Sequence, residues 1–129
     1  MPQSDVLFYQ ESPGEAPVLA WLKTLRGKDP KAYANCVAAI ERLAMFGHEL
    51  RRPIADYLRD GIYELRIRRG RVNYRILYFF HGRNAAILAH ALTKEDRVPD
   101  TDIDRAIQRK ALFVQAPDGH SFQGDFEHG

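Results

Sequence analysis

At 129 residues and 14.8 kDa the chain is one domain's worth of sequence, enough for one modest hydrophobic core and too short for two independent domains. Hydrophobic residues at 45% and charged residues at 28% argue against general disorder and against a fibrous repeat. Nineteen Lys and Arg against seventeen Asp and Glu leave a formal charge of +2, so any affinity for polyanions must come from uneven placement.

The placement is uneven. Arg59 to Arg75 holds six arginines (Arg59, Arg66, Arg68, Arg69, Arg71, Arg75) against Asp60 and Glu64, whereas Val114 to Gly129 holds Asp118, Asp125 and Glu127 and no Lys or Arg. The single cysteine, Cys36, excludes an internal disulfide and falls in an apolar helical pattern, as expected in a reducing cytoplasm. Met1 to Ser12 lacks a secretory-signal pattern. The longest largely apolar run, Ala85 to Leu92, is far short of the roughly 20 residues that span a bilayer, so a soluble cytoplasmic protein without a membrane partner is expected.

In chain order, Val6 to Tyr9 predicts a short strand. Ser12 and Glu15 have capping-box spacing around Pro13, which predicts a helix starting there, with Val18, Trp21, Leu22 and Leu25 on its apolar face and Gly27 at its end. Asp29 and Pro30 repeat the start signal. Tyr33, Cys36, Val37, Ile40, Leu43 and Ala44 then form a longer stripe stopped by Gly47, completing a helical hairpin. His48 to Asp60 reads as a connector.

Tyr63, Leu65 and Ile67 alternate with Glu64, Arg66 and Arg68, the period of a strand with one buried face. Tyr74 to His81 predicts a central strand, Ala85 to Thr93 a third, and Val98 to Phe113 a last helix with Ile103, Ala106 and Ile107 facing inward. The fold class is α+β: a small, mostly antiparallel sheet, with the helical hairpin on one face and the last helix on the other. The domain covers residues 1–113. Residues 114–129, punctuated by Pro117, Gly119 and Gly124, are expected to form an acidic, mobile tail.

A glycine-led two-residue turn at Gly70-Arg71 pairs Arg69 with Val72 and sets Arg66 opposite Arg75. The same chemistry at Gly82-Arg83 pairs His81 with Asn84 and sets His90 opposite Arg75. One sheet face is then wholly apolar. The other has an apolar end (Ile62, Leu77, Phe79, Ala86, Leu88) and a basic hollow (Arg66, Arg68, Arg75, His90, Lys94). Like charges directly opposite one another disfavour a sheet, so an anion bound between Arg66 and Arg75 is the simplest explanation of that pair. The plainer alternatives are a solvated arginine face and, for His90, a core histidine bonded to the backbone. His48, His81, His120 and His128 have no metal-ligand spacing, and no phosphate loop or nucleophile elbow occurs, so neither metal nor cofactor is expected.

The run Asp60-Gly-Ile-Tyr-Glu-Leu-Arg66, with Tyr74-Arg-Ile-Leu-Tyr-Phe-Phe80, Ile87-Leu-Ala-His90, Lys94, Pro99 and a helix containing Ile103, Ala106 and Arg109, resembles the phage-derived HigB-type branch of the RelE/ParE toxin superfamily. The resemblance spans about Val6 to Phe113. It implies a small cytoplasmic toxin of a type II toxin-antitoxin module that cleaves messenger RNA on the ribosome. Its partners would be a helix-turn-helix antitoxin, the ribosome and mRNA, with operator DNA reached only through the antitoxin.

By the resemblance, Arg75 matches the central-strand arginine at the scissile phosphate. Arg66 and Lys94 match basic positions on either side, and His90 a branch histidine, giving Arg66, Arg75, His90 and Lys94 as catalytic residues and Arg68, Arg69 and Arg71 as RNA contacts. Asp56 and Glu95 stand where the branch often has lysine, and no tyrosine follows Tyr78. The alternatives are a ParE-like gyrase inhibitor or a catalytically weak co-regulator that binds the antitoxin. A stacking aromatic would be Tyr57, Phe79 or Phe122.

Overall fold

The computed structural model describes residues 4–93 and 97–123. The described chain runs β1 (Asp5–Tyr9), α1 (Pro17–Lys28), α2 (Pro30–Phe46), β2 (Ala55–Arg59), β3 (Ile62–Arg69), β4 (Val72–His81), β5 (Ala85–Thr93), α3 (Asp100–Gln115), α4 (Pro117–His120) and β6 (Ser121–Phe122). The six strands form one sheet in the order β2-β3-β4-β5-β1-β6, antiparallel throughout except for the β1–β5 pair. The α+β class and the helices on opposite faces are as the sequence predicts.

The first helix starts later than its capping-box spacing suggests. Gly14 is left-handed at φ +84, and the Glu15 N–H donates to the Ser12 carbonyl at 2.9 Å, so Ser12 to Glu15 closes a turn and Pro17 takes the first helical position. At the next boundary the expectation holds: Asp29 caps α2 by accepting from the Ala32 N–H at 3.2 Å. Gly47, at φ +53, ends α2 where Ser4 Oγ would collide with a Cβ.

Alternation along the strands divides the core. Leu65, Ile67, Tyr74, Ile76, Tyr78, Ala86 and Leu88 pack against α1 and α2. On the other side Ile62, Leu77, Phe79 and Ile87 pack under Ile103, Ala106 and Phe113 of α3.

The β3–β4 register is the predicted one, with Arg66 opposite Arg75 and Arg69 opposite Val72. The β4–β5 register is not. His81 pairs with Ala85, which makes the turn one residue longer, and a bulge between Leu77 and Tyr78 shifts the ladder again. His90 therefore lies opposite Leu77 and Arg75 opposite Leu92, while Ala86 and Leu88 turn toward the helical hairpin rather than α3.

Two strands arise where none was foreseen. Asp60 (φ +52) and Gly61 (φ +80) make a tight turn that folds β2 onto β3, so the supposed connector contributes an edge strand. After Phe113, α3 continues to Gln115, and Ser121 and Phe122 pair with Tyr9 and Phe8. The expected mobile tail is thus corrected as far as residue 123: its Phe122 gains both a ladder and a core neighbour. Residues 124–129 lie outside the described residues. No helix of the described chain is long and apolar enough to cross a membrane.

Candidate functional site

On the α3 side of the sheet, beyond the end of the apolar layer, a cleft of about 590 Å³ opens between β2, β3 and β4 and the start of α3. Arg66 and Arg75 both line it, as their paired positions require, together with Tyr57, Arg59 and Arg97. The anion expected between the two arginines is supplied by the protein. Glu64 Oε1 accepts from Arg75 Nη1 at 2.7 Å, and Glu64 Oε2 lies 3.8 Å from Arg66 Nε.

Burial separates the two arginines. Arg75 and Glu64 are only 7% and 3% exposed, whereas the Arg66 side chain is 41% exposed and presents its guanidinium to solvent. A carboxylate shared by two guanidiniums offsets the repulsion of the cross-strand arginine pair, and the trio keeps one net positive charge. Such a cluster holds one guanidinium rigid and leaves a second positioned to meet an incoming phosphate.

A family model of phage-derived Gp49-like proteins (DUF891) matches residues 21–111, which include every residue lining this cleft. The chain belongs to that Gp49-like family. The family is RelE/toxin-like, which at that coarse level is consistent with a toxin of a toxin-antitoxin module and suggests an antitoxin as partner. No curated protein matches the chain.

In this Gp49-like protein His90 belongs to a different cluster from Arg66 and Arg75. Its Nε2 meets Asp102 Oδ1 at 2.7 Å and its Nδ1 lies 3.3 Å from Arg109 Nη1. Arg109, 7% exposed, also donates from Nη1 to the Ala89 carbonyl (2.7 Å) and from Nε to Glu11 (3.0 Å). With Arg109 donating to Nδ1, the consistent tautomer carries its proton on Nε2, directed at Asp102. Burial holds the His90 pKa below its ordinary value, against the opposing pull of Asp102. The expectation that His90 faces Arg75 is corrected, and the cause is the longer turn and the bulge.

The hairpin arginines are also divided. Arg68 donates from Nε to the Gly70 carbonyl at 3.0 Å and lines a second hollow with Arg66 and Arg75. Arg69 projects from the other face, where Nε meets both carboxylate oxygens of Asp29 at 3.0 Å. Arg71 stands exposed in the turn. Lys94 lies outside the described residues.

Of the three aromatic candidates, Tyr57 lines the cleft at 52% exposure, whereas Phe79 is fully buried and Phe122 packs beside the helical hairpin. Sequence reasoning missed Glu64, Arg59 and Arg97 as cleft residues. For Glu64 a signal existed: two residues from Arg66 on one strand, it shares that face and lies diagonal to Arg75. Arg97 and Arg59 reach the cleft only through the docking of α3 and the folding of β2.

Proposed function

We propose that the protein is the toxin of a type II module, of the HigB kind, and that it cleaves messenger RNA bound to the ribosome without a metal. One observation carries the reading: the exposed Arg66, fixed beside the buried Glu64–Arg75 pair at the floor of a cleft. RNA brings its own nucleophile. The 2′ oxygen attacks the neighbouring phosphorus and gives up its proton, the bond to the 5′ oxygen breaks, and that oxygen gains a proton, leaving a 2′,3′-cyclic phosphate and a 5′ hydroxyl.

The protein then has to orient the phosphate and stabilise its extra charge, the task for which guanidiniums held in advance are suited. Arg66 contacts the phosphate, Arg75 and Glu64 hold Arg66 in place from below so that the trio offers one net positive charge, and the 2′ proton passes to solvent in the open cleft. Exposed Tyr57 offers a ring for a splayed base. Both nitrogens of His90 are engaged, so protonation of the leaving oxygen falls to Lys94.

A reporter mRNA incubated with the protein, with and without translating ribosomes, tests this. Cuts confined to the ribosome-bound message are expected. An uncut message under both conditions overturns the nuclease and favours the co-regulator reading, to which the neutralisation of Arg75 by Glu64 lends its one support.

A further inference from the structure

The β3–β4 turn rests against the bend between α1 and α2. Arg69 grips Asp29 at 3.0 Å, and Asn35 Nδ2 lies 3.5 Å from the Arg68 carbonyl. Two short basic stretches distant in sequence are thereby joined: Arg26, Lys28 and Lys31 from the bend, and Arg68, Arg69 and Arg71 from the turn, against the single acid Asp29. All six are exposed. Among the described residues Lys28, Lys31 and Arg71 have no acidic partner.

We propose that this surface is a second RNA contact that binds the phosphate backbone of a double helix. Charge alone would also suit an acidic protein. Protein interfaces, however, centre on exposed apolar groups, and here Val72, 37% exposed, is the one exposed large apolar residue, Met45 and Phe46 lying at the far end of α2, Tyr57 on β2, and Leu112 and Val114 on α3. A single strand would call for rings to stack on, yet Tyr33 and Tyr74 in this region are 6% and 7% exposed. Phosphates need only cations in a fixed array, and A-form RNA is recognised by shape and backbone.

The array is fixed. Asp29 orders Arg69 while capping α2, and the Gly70 carbonyl orders Arg68. It is also continuous with the cleft, because Arg66, Arg68 and Arg75 together line a hollow of about 470 Å³ between the two regions. A helix gripped here leaves the cleft open to an adjoining strand. The biological target, structured RNA near the cleavage point, rests on the proposed function; the binding itself does not.

The test is binding of the full chain to a 16-base-pair RNA duplex of arbitrary sequence across a salt series, comparing wild type with Lys28→Glu/Lys31→Glu. Both lysines are exposed, so the variant should melt as wild type does. We expect wild-type affinity to fall steeply with salt, and the variant to bind about tenfold more weakly with a salt slope smaller by about 2. Equal duplex binding by the two proteins, or none by wild type, overturns the proposal. So does tighter binding of poly-glutamate than of the duplex at the same lysines, which would assign the surface to an acidic protein. Cleavage of ribosome-bound mRNA is scored separately, so the cleft reading can stand if this one falls.

Discussion

Arg75 is a structural and an electrostatic residue at once. Replacing it with alanine leaves Glu64, 3% exposed, without its 2.7 Å partner, and uncompensated buried charge is destabilising by about 3 kcal/mol or more. Arg75→Ala should therefore lower stability in chemical denaturation, whereas Arg66→Ala, at an exposed site, should stay within about 0.5 kcal/mol of wild type. Loss of toxicity in the Arg75 variant alone would not separate folding from phosphate binding. Arg66 is the clean probe.

His90 gives a second prediction at this scale. Burial depresses its pKa in the folded state below the ordinary 6.5, so the unfolded chain binds the extra proton first as the medium is acidified. The contribution of neutral His90 is complete above that ordinary value and declines as the pH falls from it toward the folded pKa. A proton on Nδ1 would also face Arg109, with Arg105 adding repulsion and Asp102 opposing it. Thermal melts should show stability falling between neutral and mildly acidic pH, with a smaller fall in His90→Gln. Equal slopes would show that His90 does not govern it.

Among elements, β6 is the one whose importance was least visible in the sequence. Phe122 and His120 are separated from β1 by more than a hundred residues, yet Phe122 pairs with Phe8, the His120 ring stacks on Tyr9 at 5.3 Å, and the Gln10 N–H reaches the His120 carbonyl at 2.8 Å. Truncation after Ala116 uncovers the outer edge of β1, and a fall in melting temperature of about 5 °C or more is expected. An unchanged melt would make β6 an incidental contact. Local signals did reveal the β3–β4 hairpin, because Gly70-Arg71 and the alternation from Tyr63 to Ile67 act within a few residues.

They failed where the decisive partner was remote or the count changed by one. The Asp60-Gly61 pair is a hairpin signal in itself, but β2 is only five residues long, carries Asp56 and Arg59, and acquires strand character only beside β3. The bulge between Leu77 and Tyr78 has no sequence signature, and together with the longer turn it moved His90 from one polar cluster to another.

For the molecule as a whole, the sheet divides labour. The helical hairpin supplies one apolar layer, while α3 covers only part of the other face and leaves the cleft at its start. Ionic contacts help to set that edge: Arg59 meets Asp104 at 2.7 Å, the Lys110 ammonium reaches the Asp60 carbonyl at 3.3 Å, and Arg109 meets Glu11 at 3.0 Å. Glu64 is the residue in which fold and proposed chemistry coincide, since the carboxylate that lets two arginines face each other also holds Arg66 in the cleft. The central claim is that Arg66, held beside the Glu64–Arg75 pair, contacts the scissile phosphate. Single-turnover cleavage of mRNA on programmed ribosomes by Arg66→Ala measures it most directly: a rate at least about 100-fold below wild type, with melting unchanged, is predicted, and cleavage at the wild-type rate would contradict the account.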